Sequence, residues 1–263
     1  MEAVMESMGM RNIGLADTRR RGKVASFAAI LAGVLKAVAS LRRGDTLVLQ
    51  YPLKKYYTFI CRMAHLRGAR VITLIHDLGS FRRRKLSPAR EVRRLSNSDL
   101  LIALNPSMQR WLADNGCSRP SVSLGIWDFL SPAEPPVRQL SGSPVVVYAG
   151  ALGVRKNRFL YDWGPMIENY SVNLYGWGFD PAQAKDPEAI CCKGFMSSEE
   201  LISSSEGHFG LVWDGDSPLT CTGPWGEYLR YNNPHKTSLY LRCHLPLIVW
   251  SQAALSLIHI SEP

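Results

Sequence analysis

Short apolar runs of six to eight residues recur along the chain, and each ends in a polar or glycine-containing turn. In the first half these runs are TLVLQYP (46–52), RVITLIHD (70–77), DLLIALNP (99–106) and SVSLGI (121–126). Helical patterns separate them at 55–67, 88–95 and 106–115. β-branched runs that alternate with helices are typical of a parallel sheet covered on both faces.

The second half repeats this alternation. Its apolar runs are PVVVYAG (144–150), SVNLYGWG (171–178), HFGLVWDG (208–215) and LPLIVW (245–250). The segment 130–144 between the halves is rich in Pro, Ser and Gly, which is typical of a linker. We therefore predict an α/β fold with two Rossmann-like domains, at residues 1–135 and 144–263. Ligands are then expected at the carboxyl ends of the strands.

One further apolar stretch, VASFAAILAGVLKAVASL, covers Val24 to Leu41. It is short for a membrane span and contains Lys36, so a buried or membrane-facing amphipathic helix is predicted instead. The first ten residues carry two glutamates and no apolar core, so no signal peptide is predicted.

The composition excludes several classes of protein. With 46% hydrophobic and 20% charged residues, the chain is neither disordered, nor collagen-like, nor a coiled coil. Its six cysteines show no CxxC spacing, so no metal site is predicted, and free thiols in a reducing cytosol are expected.

Charge is distributed unevenly. Residues 1–125 hold 22 Lys and Arg against 8 Asp and Glu, whereas residues 126–263 hold 9 against 14. The basic half is suited to polyanions or an anionic lipid leaflet. Its densest run contains Arg82, Arg83, Arg84 and Lys85, and is either a solvated helix face or a patch for lipid head groups. Nucleic acid is not predicted as a partner, because Phe81 is the one aromatic residue in this run.

In the first half, the candidate chemistry lies where strands end. His76 and Asp77 follow VITLI, where the histidine can donate to a sugar hydroxyl or phosphate and the aspartate can orient or accept. The alternative is that Asp77 caps a helix. Asn105 is either another ligand at this edge or the N-cap before Pro106.

In the second half, Arg155 and Lys156 follow a glycine-bearing loop, which suits a diphosphate or else forms a solvated basic turn. Further on, YNNPHKTS opens a helix that Asn232 or Asn233 is predicted to cap. Lys236 lies in the first turn of that helix, where a cation is costly unless an anion lies beside it. This pattern favours a phosphate-binding lysine. Nearby aromatic residues are predicted to pack in the core or on a base or sugar: Trp213, Trp225 and Tyr228.

Several of these segments together resemble a known family. LQYPLKKYY, VITLIHDLGSFRR, FGLVWDG, GEYLRYNNPHKTSLYL and LPLIVWSQAAL are similar to bacterial GT-B glycosyltransferases of the galactofuranosyltransferase and adhesin-glucosyltransferase type. The resemblance implies a UDP-sugar donor held by the second domain, and neither a metal nor a cofactor. It assigns donor binding to Arg155, Phe195, Tyr231, Asn233 and Lys236, with Phe195 near the base. Lys156 is added as a donor-binding residue because it stands beside Arg155 on the same loop. The acceptor would lie near His76 and Asp77.

The chain also departs from that family. It begins within what would be the first helix and ends in LSLIHISEP without the closing elements, so a fold truncated at both ends is expected. Arg242 and His244 stand where the family has small residues and are expected to crowd the donor site.

The sequence-based hypothesis is therefore a metal-independent transferase. It would move galactofuranose or glucose from a UDP-sugar to a glycan or lipid-linked acceptor, with His76 and Asp77 catalytic. It would be cytoplasmic, at the inner face of the plasma membrane, with the basic residues 82–85 on the lipid. The alternatives are a non-catalytic polyanion-binding protein and an inactive fragment of a transferase.

Overall fold

A computed structural model describes residues 2–13, 23–53, 55–82, 86–137 and 142–257. Within these ranges the strands form two parallel sheets, one in each half of the chain. The predicted α/β fold with two Rossmann-like domains is confirmed.

The first sheet contains β1 (Thr46–Tyr51), β2 (Arg70–Ile75), β3 (Leu100–Ala103) and β4 (Ser121–Ser123), in that spatial order. All its pairings are parallel. The helices of this half are α1 (Glu2–Ser7), α2 (Lys23–Ser40), α3 (Tyr57–Leu66), α4 (Gly79–Arg82), α5 (Pro88–Leu95) and α6 (Pro106–Asp114).

The second sheet contains β5 (Val145–Ala151), β6 (Ser171–Trp177), β7 (Ile190–Gly194), β8 (Phe209–Val212) and β9 (Leu247–Val249), in the order β7-β6-β5-β8-β9. Its α-helices are α7 (Phe159–Asp162), α8 (Ser198–Ser204), α9 (Gly223–Glu227) and α10 (His235–Arg242). Short 3-10 helices lie at Gly164–Met166, Pro181–Gln183, Pro187–Ala189, Tyr228–Arg230 and Ala254–Leu257. The strand order reverses on either side of β5, so the loops after β5 and β8 lie at the point where Rossmann-like sheets bind ligands.

Side-chain caps fix two helices that follow strand ends. The Asn105 side chain accepts a hydrogen bond from the Met108 amide at 2.8 Å, with Pro106 in the first turn of α6. Asn105 is thus the N-cap of α6, one of the two roles that the sequence left open. Ser87 caps α5 in the same way.

The core of the first domain extends into the second half of the chain. Tyr228 is buried in that core, and its hydroxyl accepts a hydrogen bond from the Leu78 amide at 2.8 Å. Phe81 of α4 packs against Tyr228 and Tyr231, with ring centroids 5.3 and 4.8 Å apart. The segment that precedes α10 therefore anchors the second domain to the first.

The expectation that Arg242 and His244 crowd the donor site is wrong. The Arg242 guanidinium turns to the linker, where it donates to the Ser131 and Ala133 carbonyl oxygens and pairs with Glu134 at 3.0 Å. His244 is exposed just beyond the end of α10. Both side chains lie at the carboxyl end of this helix, whereas Lys236, the lysine that the sequence predicts to bind the donor, lies at its amino end.

Candidate functional site

The carboxyl ends of both sheets meet at one interface. His76 follows β2 and Asn105 follows β3 in the first domain. Both approach the segment that opens α10 in the second domain, His76 at His235 and Asn105 at Asn233. The interface therefore brings together side chains that stand far apart in the sequence.

Lys236 is the centre of a buried polar cluster at the amino end of α10. Its ammonium donates to the Tyr148 hydroxyl at 3.0 Å, the Trp213 carbonyl at 3.1 Å and the Asp214 carboxylate at 3.0 Å. The same Asp214 oxygen lies 3.4 Å from the Lys156 ammonium. The anion that a first-turn lysine requires is thus present in the protein itself, as Asp214.

The charged groups in this cluster shift one another's pKa values. Burial lowers the pKa of Lys236 to about 8, although the carboxylate of Asp214 opposes that shift. Burial also disfavours ionised Asp214, but the charges of Lys236 and Lys156 outweigh it and hold the pKa of Asp214 below its usual range. Two lysines share one carboxylate, so the ionised cluster carries a surplus positive charge.

The loop after β8 holds Asp214 in place. Gly215 has a φ of +110°, and a Cβ there would lie 2.2 Å from the Thr222 carbonyl oxygen. A glycine is therefore required for the chain to turn directly after Asp214. The Tyr148 hydroxyl also holds the carboxylate, since it donates to the same Asp214 oxygen as Lys236, at 3.1 Å.

Arg155 adds a further cation to the loop that follows β5. It is exposed and forms no ion pair or hydrogen bond with the residues that the structure describes. The neighbouring Lys156 ammonium lies 5.6 Å from the centre of the Trp225 ring. Arg155 and Lys156 thus stand on the loop beside the Lys236 cluster, where a bound anion is able to reach them.

Two exposed aromatic rings lie at the ends of neighbouring strands of the same sheet. Trp177 ends β6 and Phe195 follows β7, and their rings stack with centroids 5.2 Å apart and planes 18° apart. Trp177 is 71% exposed and Phe195 56%. Sequence reasoning singled out Phe195 but missed Trp177, although its place at the end of the run SVNLYGWG was a usable signal.

His76 belongs to an aromatic cluster that crosses the domain interface. Its ring stacks on Trp127 at 4.8 Å, and Trp127 stacks on His235 at 4.9 Å. The Nε2 atom of His76 is buried and has no hydrogen-bond partner among the described residues. Burial, reinforced by the neighbouring His235, lowers the pKa of His76. Burial also lowers the pKa of His235, against the opposing charge of Asp77.

Glu91 holds the loop that carries His76 and Asp77. This fully buried carboxylate accepts hydrogen bonds from the Gly79 amide at 2.7 Å and the Ser80 amide at 2.8 Å. It also accepts from the Tyr51 hydroxyl at 2.9 Å. This role is not predictable from the sequence, because Glu91 stands within a run of arginines that is typical of a solvated helix.

Asn233 is part of the contact between the domains. Its amide nitrogen donates to the Leu104 and Gly125 carbonyl oxygens at 3.1 and 2.7 Å, and its oxygen accepts from Asn105 at 2.9 Å. Pro234 occupies the N-cap position of α10 and no side chain caps this helix, so the prediction that Asn232 or Asn233 does so is wrong.

Tyr231 lies in the same contact, since its carbonyl accepts from the Asn105 side chain at 3.1 Å and its ring packs on Phe81. A donor-binding role for Tyr231 and Asn233 stays a prediction. The basic run is described only in part, because Arg83, Arg84 and Lys85 lie outside the described residues and Arg82 is described by its backbone alone.

The comparisons with known proteins agree on one family. The N-terminal domain model of the glucosyltransferase 3-like family matches residues 1–126, and its C-terminal domain model matches residues 146–259. Beta-1,6-galactofuranosyltransferase WbbI of Escherichia coli (strain K12) is 33% identical over 221 residues, covering 83% of this chain and 64% of that protein. Glucosyltransferase 3 of Streptococcus gordonii is 28% identical over 221 residues, covering 81% and 62%.

The chain thus spans a little less than two thirds of the length of these relatives. A solved structure shares its fold: the apo form of the lipopolysaccharide outer core galactosyltransferase WaaB matches with a TM-score of 0.55 at 10% identity. That match covers 86% of this chain and 61% of WaaB.

Proposed function

Because the chain belongs to the glucosyltransferase 3-like family of bacterial glycosyltransferases with the GT-B fold, we propose that it transfers a hexose from a UDP-linked sugar to a glycan acceptor. The observation that carries this proposal is the cluster of Lys156, Lys236 and Asp214 at the carboxyl ends of β5 and β8. Its surplus positive charge lies at the place where a Rossmann-like domain binds phosphates.

The cluster suits the departure of a nucleoside diphosphate. When the bond between the sugar and the diphosphate breaks, negative charge develops on the leaving oxygen. Lys236, Lys156 and the exposed Arg155 would neutralise that charge from fixed positions, which stabilises the transition state more than the ground state. The hydrogen bonds to Tyr148 and Trp213 hold the Lys236 ammonium in place before the donor arrives.

The uracil base would stack on the platform formed by Trp177 and Phe195. Both rings are exposed at the same edge of the sheet as the lysine cluster. Aromatic faces bind nucleobases without requiring a particular hydrogen-bond pattern. Base and diphosphate would thus be held by the second domain alone.

The acceptor would lie on the first-domain side, near His76 and Asp77. The oxygen of an acceptor hydroxyl attacks the anomeric carbon, the bond from that carbon to the diphosphate breaks, and the hydroxyl proton passes to a base. Asp77 is the half-buried carboxylate at this edge and would accept that proton. His76 would position the acceptor through the aromatic cluster with Trp127 and His235.

The names of the relatives narrow the substrates that we propose. A galactofuranosyltransferase and a glucosyltransferase point to galactofuranose or glucose as the transferred sugar. We also propose that the enzyme works in the cytoplasm against an anionic membrane, with a lipid-linked glycan as acceptor. The excess of positive charge in residues 1–125 supports this location.

Calorimetry with UDP tests the donor site. We expect Lys236→Gln to weaken UDP binding by about tenfold or more, because it removes a buried charge from the diphosphate. Lys185→Ala is the matched control, since this exposed lysine of the same domain pairs with Asp162 and lies outside the cluster. Equal UDP binding by the parent chain, Lys236→Gln and Lys185→Ala would refute the assignment, as would no binding by any of them.

A further inference from the structure

Two neighbouring helices of the first domain expose large apolar side chains. On α2 these are Phe27, 49% exposed, and Leu35, 51% exposed. On α3 they are Phe59, 41% exposed, and Leu66, 78% exposed. Each pair follows helical spacing, so each helix presents an apolar stripe to the outside. We call these four side chains the outer face.

The two stripes belong to one surface, because α2 and α3 lie side by side. The Arg67 side chain just after α3 donates to the Ala39 and Leu41 carbonyl oxygens at the end of α2, at 2.8 and 3.1 Å. Near the other end, the Lys55 ammonium lies 5.4 Å from the centre of the Phe27 ring. The helices are thus joined at both ends and form one layer.

On α2 the apolar character extends around the helix. Val34 and Val38 are buried on its inner side, whereas Phe27, Ala32 and Leu35 are exposed on its outer side. A helix that is apolar all round normally has both sides covered. Within the described ranges other elements cover only the inner side, which leaves the outer side open to a partner.

The charges around the outer face indicate which partner this is. Residues 19–76 contain 12 Lys and Arg and a single carboxylate, Asp45. Asp45 is engaged locally, since its side chain accepts from the Arg42 amide at 2.8 Å. Exposed cations stand among the apolar residues, at Lys36 on α2, at Arg62 on α3 and at Lys55 just before α3. A second copy of this face would bring cation against cation, whereas an anionic surface would meet cations without any opposing carboxylate on either helix.

We infer that the outer face docks on an anionic phospholipid leaflet. Phe27, Leu35, Phe59 and Leu66 would enter the boundary between head groups and acyl chains, while the surrounding Lys and Arg side chains contact the lipid phosphates. The attachment is to the membrane surface, since no helix in the described ranges is both long and apolar enough to cross a bilayer.

The docking orients the candidate site. The helix α3 begins shortly after the carboxyl end of β1, so Lys55 and Phe59 lie at the sheet edge that also carries His76 and Asp77. A lipid leaflet at the outer face would therefore bring lipid-attached acceptors to the acceptor side. This step rests on the proposed transfer reaction, whereas the docking itself does not.

Co-sedimentation with vesicles tests the docking. The vesicles contain phosphatidylcholine alone or with phosphatidylglycerol. We expect binding only with phosphatidylglycerol, weakening as salt is raised. Phe59→Ser with Leu66→Ser, and separately Lys55→Gln with Arg62→Gln, should each reduce binding by about tenfold or more.

Matched controls come from the second domain. Met166→Ser with Leu219→Ser removes two exposed apolar side chains, and Arg158→Gln with Lys185→Gln removes two exposed cations. These variants should bind vesicles like the parent chain. UDP binding, measured on every variant, separates the two proposals. An outer-face variant that keeps its UDP affinity is folded and has lost only its ability to bind vesicles.

Three results would overturn the inference. One is vesicle binding that the outer-face variants leave unchanged. Another is vesicle binding that is lost only when Arg82, Arg83, Arg84 and Lys85 become serine, which would show that this run makes the membrane contact. The third is absence of vesicle binding together with self-association that Phe59→Ser and Leu66→Ser abolish, which would identify a second copy as the partner.

Discussion

Asn105 of the first domain and Asn233 of the second hydrogen-bond to each other across the domain interface, from Asn105 Nδ2 to Asn233 Oδ1 at 2.9 Å. Asn105 also caps α6 at a strand end of the first domain, and Asn233 stands three residues before Lys236 in the second. The bond therefore links the edge of the first sheet to the segment that opens α10, three residues before Lys236. It fixes where α10 begins relative to the first sheet.

Removing this link should destabilise the protein. Asn233→Ala removes three hydrogen bonds at a buried position, two that Asn233 donates to the Leu104 and Gly125 carbonyls and one that it accepts from Asn105. We expect a loss of about 1–3 kcal/mol in the free energy of unfolding, measured with urea. Asn97→Ala is the matched control, since Asn97 bonds only to nearby carbonyls at the end of α5. A loss no larger than that of the control would show that the bond does not hold the domains.

UDP affinity should depend on pH through Lys236. Its pKa of about 8 means that the free protein loses this charge as the pH rises through 8, while the UDP phosphates stay fully ionised. Calorimetry between pH 6.5 and 9.5 should therefore show affinity that is constant at the acid end and falls above pH 8, by at most about tenfold per pH unit. Lys236→Arg should remove this decline, because an arginine stays charged throughout.

Asp214→Asn should move the same decline to lower pH. The carboxylate raises the pKa of Lys236, so its removal lets burial lower that pKa further. The opposite direction, or an unchanged midpoint, would show that Asp214 does not control the charge of Lys236. The midpoint is informative even if the variant is less stable, because it is measured on the folded fraction that binds UDP.

Glu91→Gln tests what holds the loop of His76 and Asp77. Glutamine has nearly the same shape but replaces one acceptor oxygen with a donor, so it cannot satisfy the Gly79 and Ser80 amides together with Tyr51. We expect about 1–3 kcal/mol less stability and unchanged UDP affinity, since the donor side lies in the other domain. Glu199→Gln on the exposed face of α8 should change neither quantity. A Glu91→Gln variant as stable as the parent chain would show that Glu91 does not hold this loop.

The sequence predicts the fold well because alternation of apolar runs and helices is a local property. Bounds such as Pro88–Leu95 for α5 follow directly from Ser87 and Pro88. The strand β7 was missed because ICCKG is short and mostly exposed at the sheet edge, so it has no apolar run. The helix α4 has only four residues, too few for a periodic pattern.

The sequence predicts a residue of the candidate site only where the local position of that residue is itself informative. A lysine in the first turn of a helix demands an anion, which singled out Lys236. The identity of that anion, Asp214, depends on how the 21 residues between Asp214 and Lys236, which include α9, bring the start of α10 back to the end of β8. Asn233 was misread as a cap for the same reason, since its partners Leu104 and Gly125 lie more than a hundred residues away.

Lower pH should reduce the free energy of unfolding, because of the histidine cluster. The pKa values of His76 and His235 are lowered in the folded state, so the unfolded chain binds protons more readily. The two histidines should therefore make a constant contribution to stability above pH 7.5, and that contribution should fall as the pH drops through about 6.5, the pKa of an unfolded histidine. Urea unfolding at pH 7.5 and 5.5 measures the difference.

Replacing both histidines with glutamine should flatten that pH dependence, while His244→Gln, at an exposed position, should leave it as it is. A pH dependence that survives in the double variant would mean that groups outside the cluster of His76, Trp127 and His235 cause it.

The proposed role of the Trp177 and Phe195 platform can be tested by comparing binding of the base with binding of the diphosphate. Trp177→Ala removes the larger of two stacked, exposed rings and nothing that the core needs. We expect UDP to bind about 5- to 100-fold more weakly, which corresponds to the loss of one base-stacking contact. Pyrophosphate has no base, so its binding should be unchanged in Trp177→Ala but weakened in Lys236→Gln. Trp177→Phe keeps an aromatic face and should retain most of the UDP affinity. If Trp177→Ala instead weakens pyrophosphate and UDP alike, the ring supports the fold of this edge, and the base binds elsewhere.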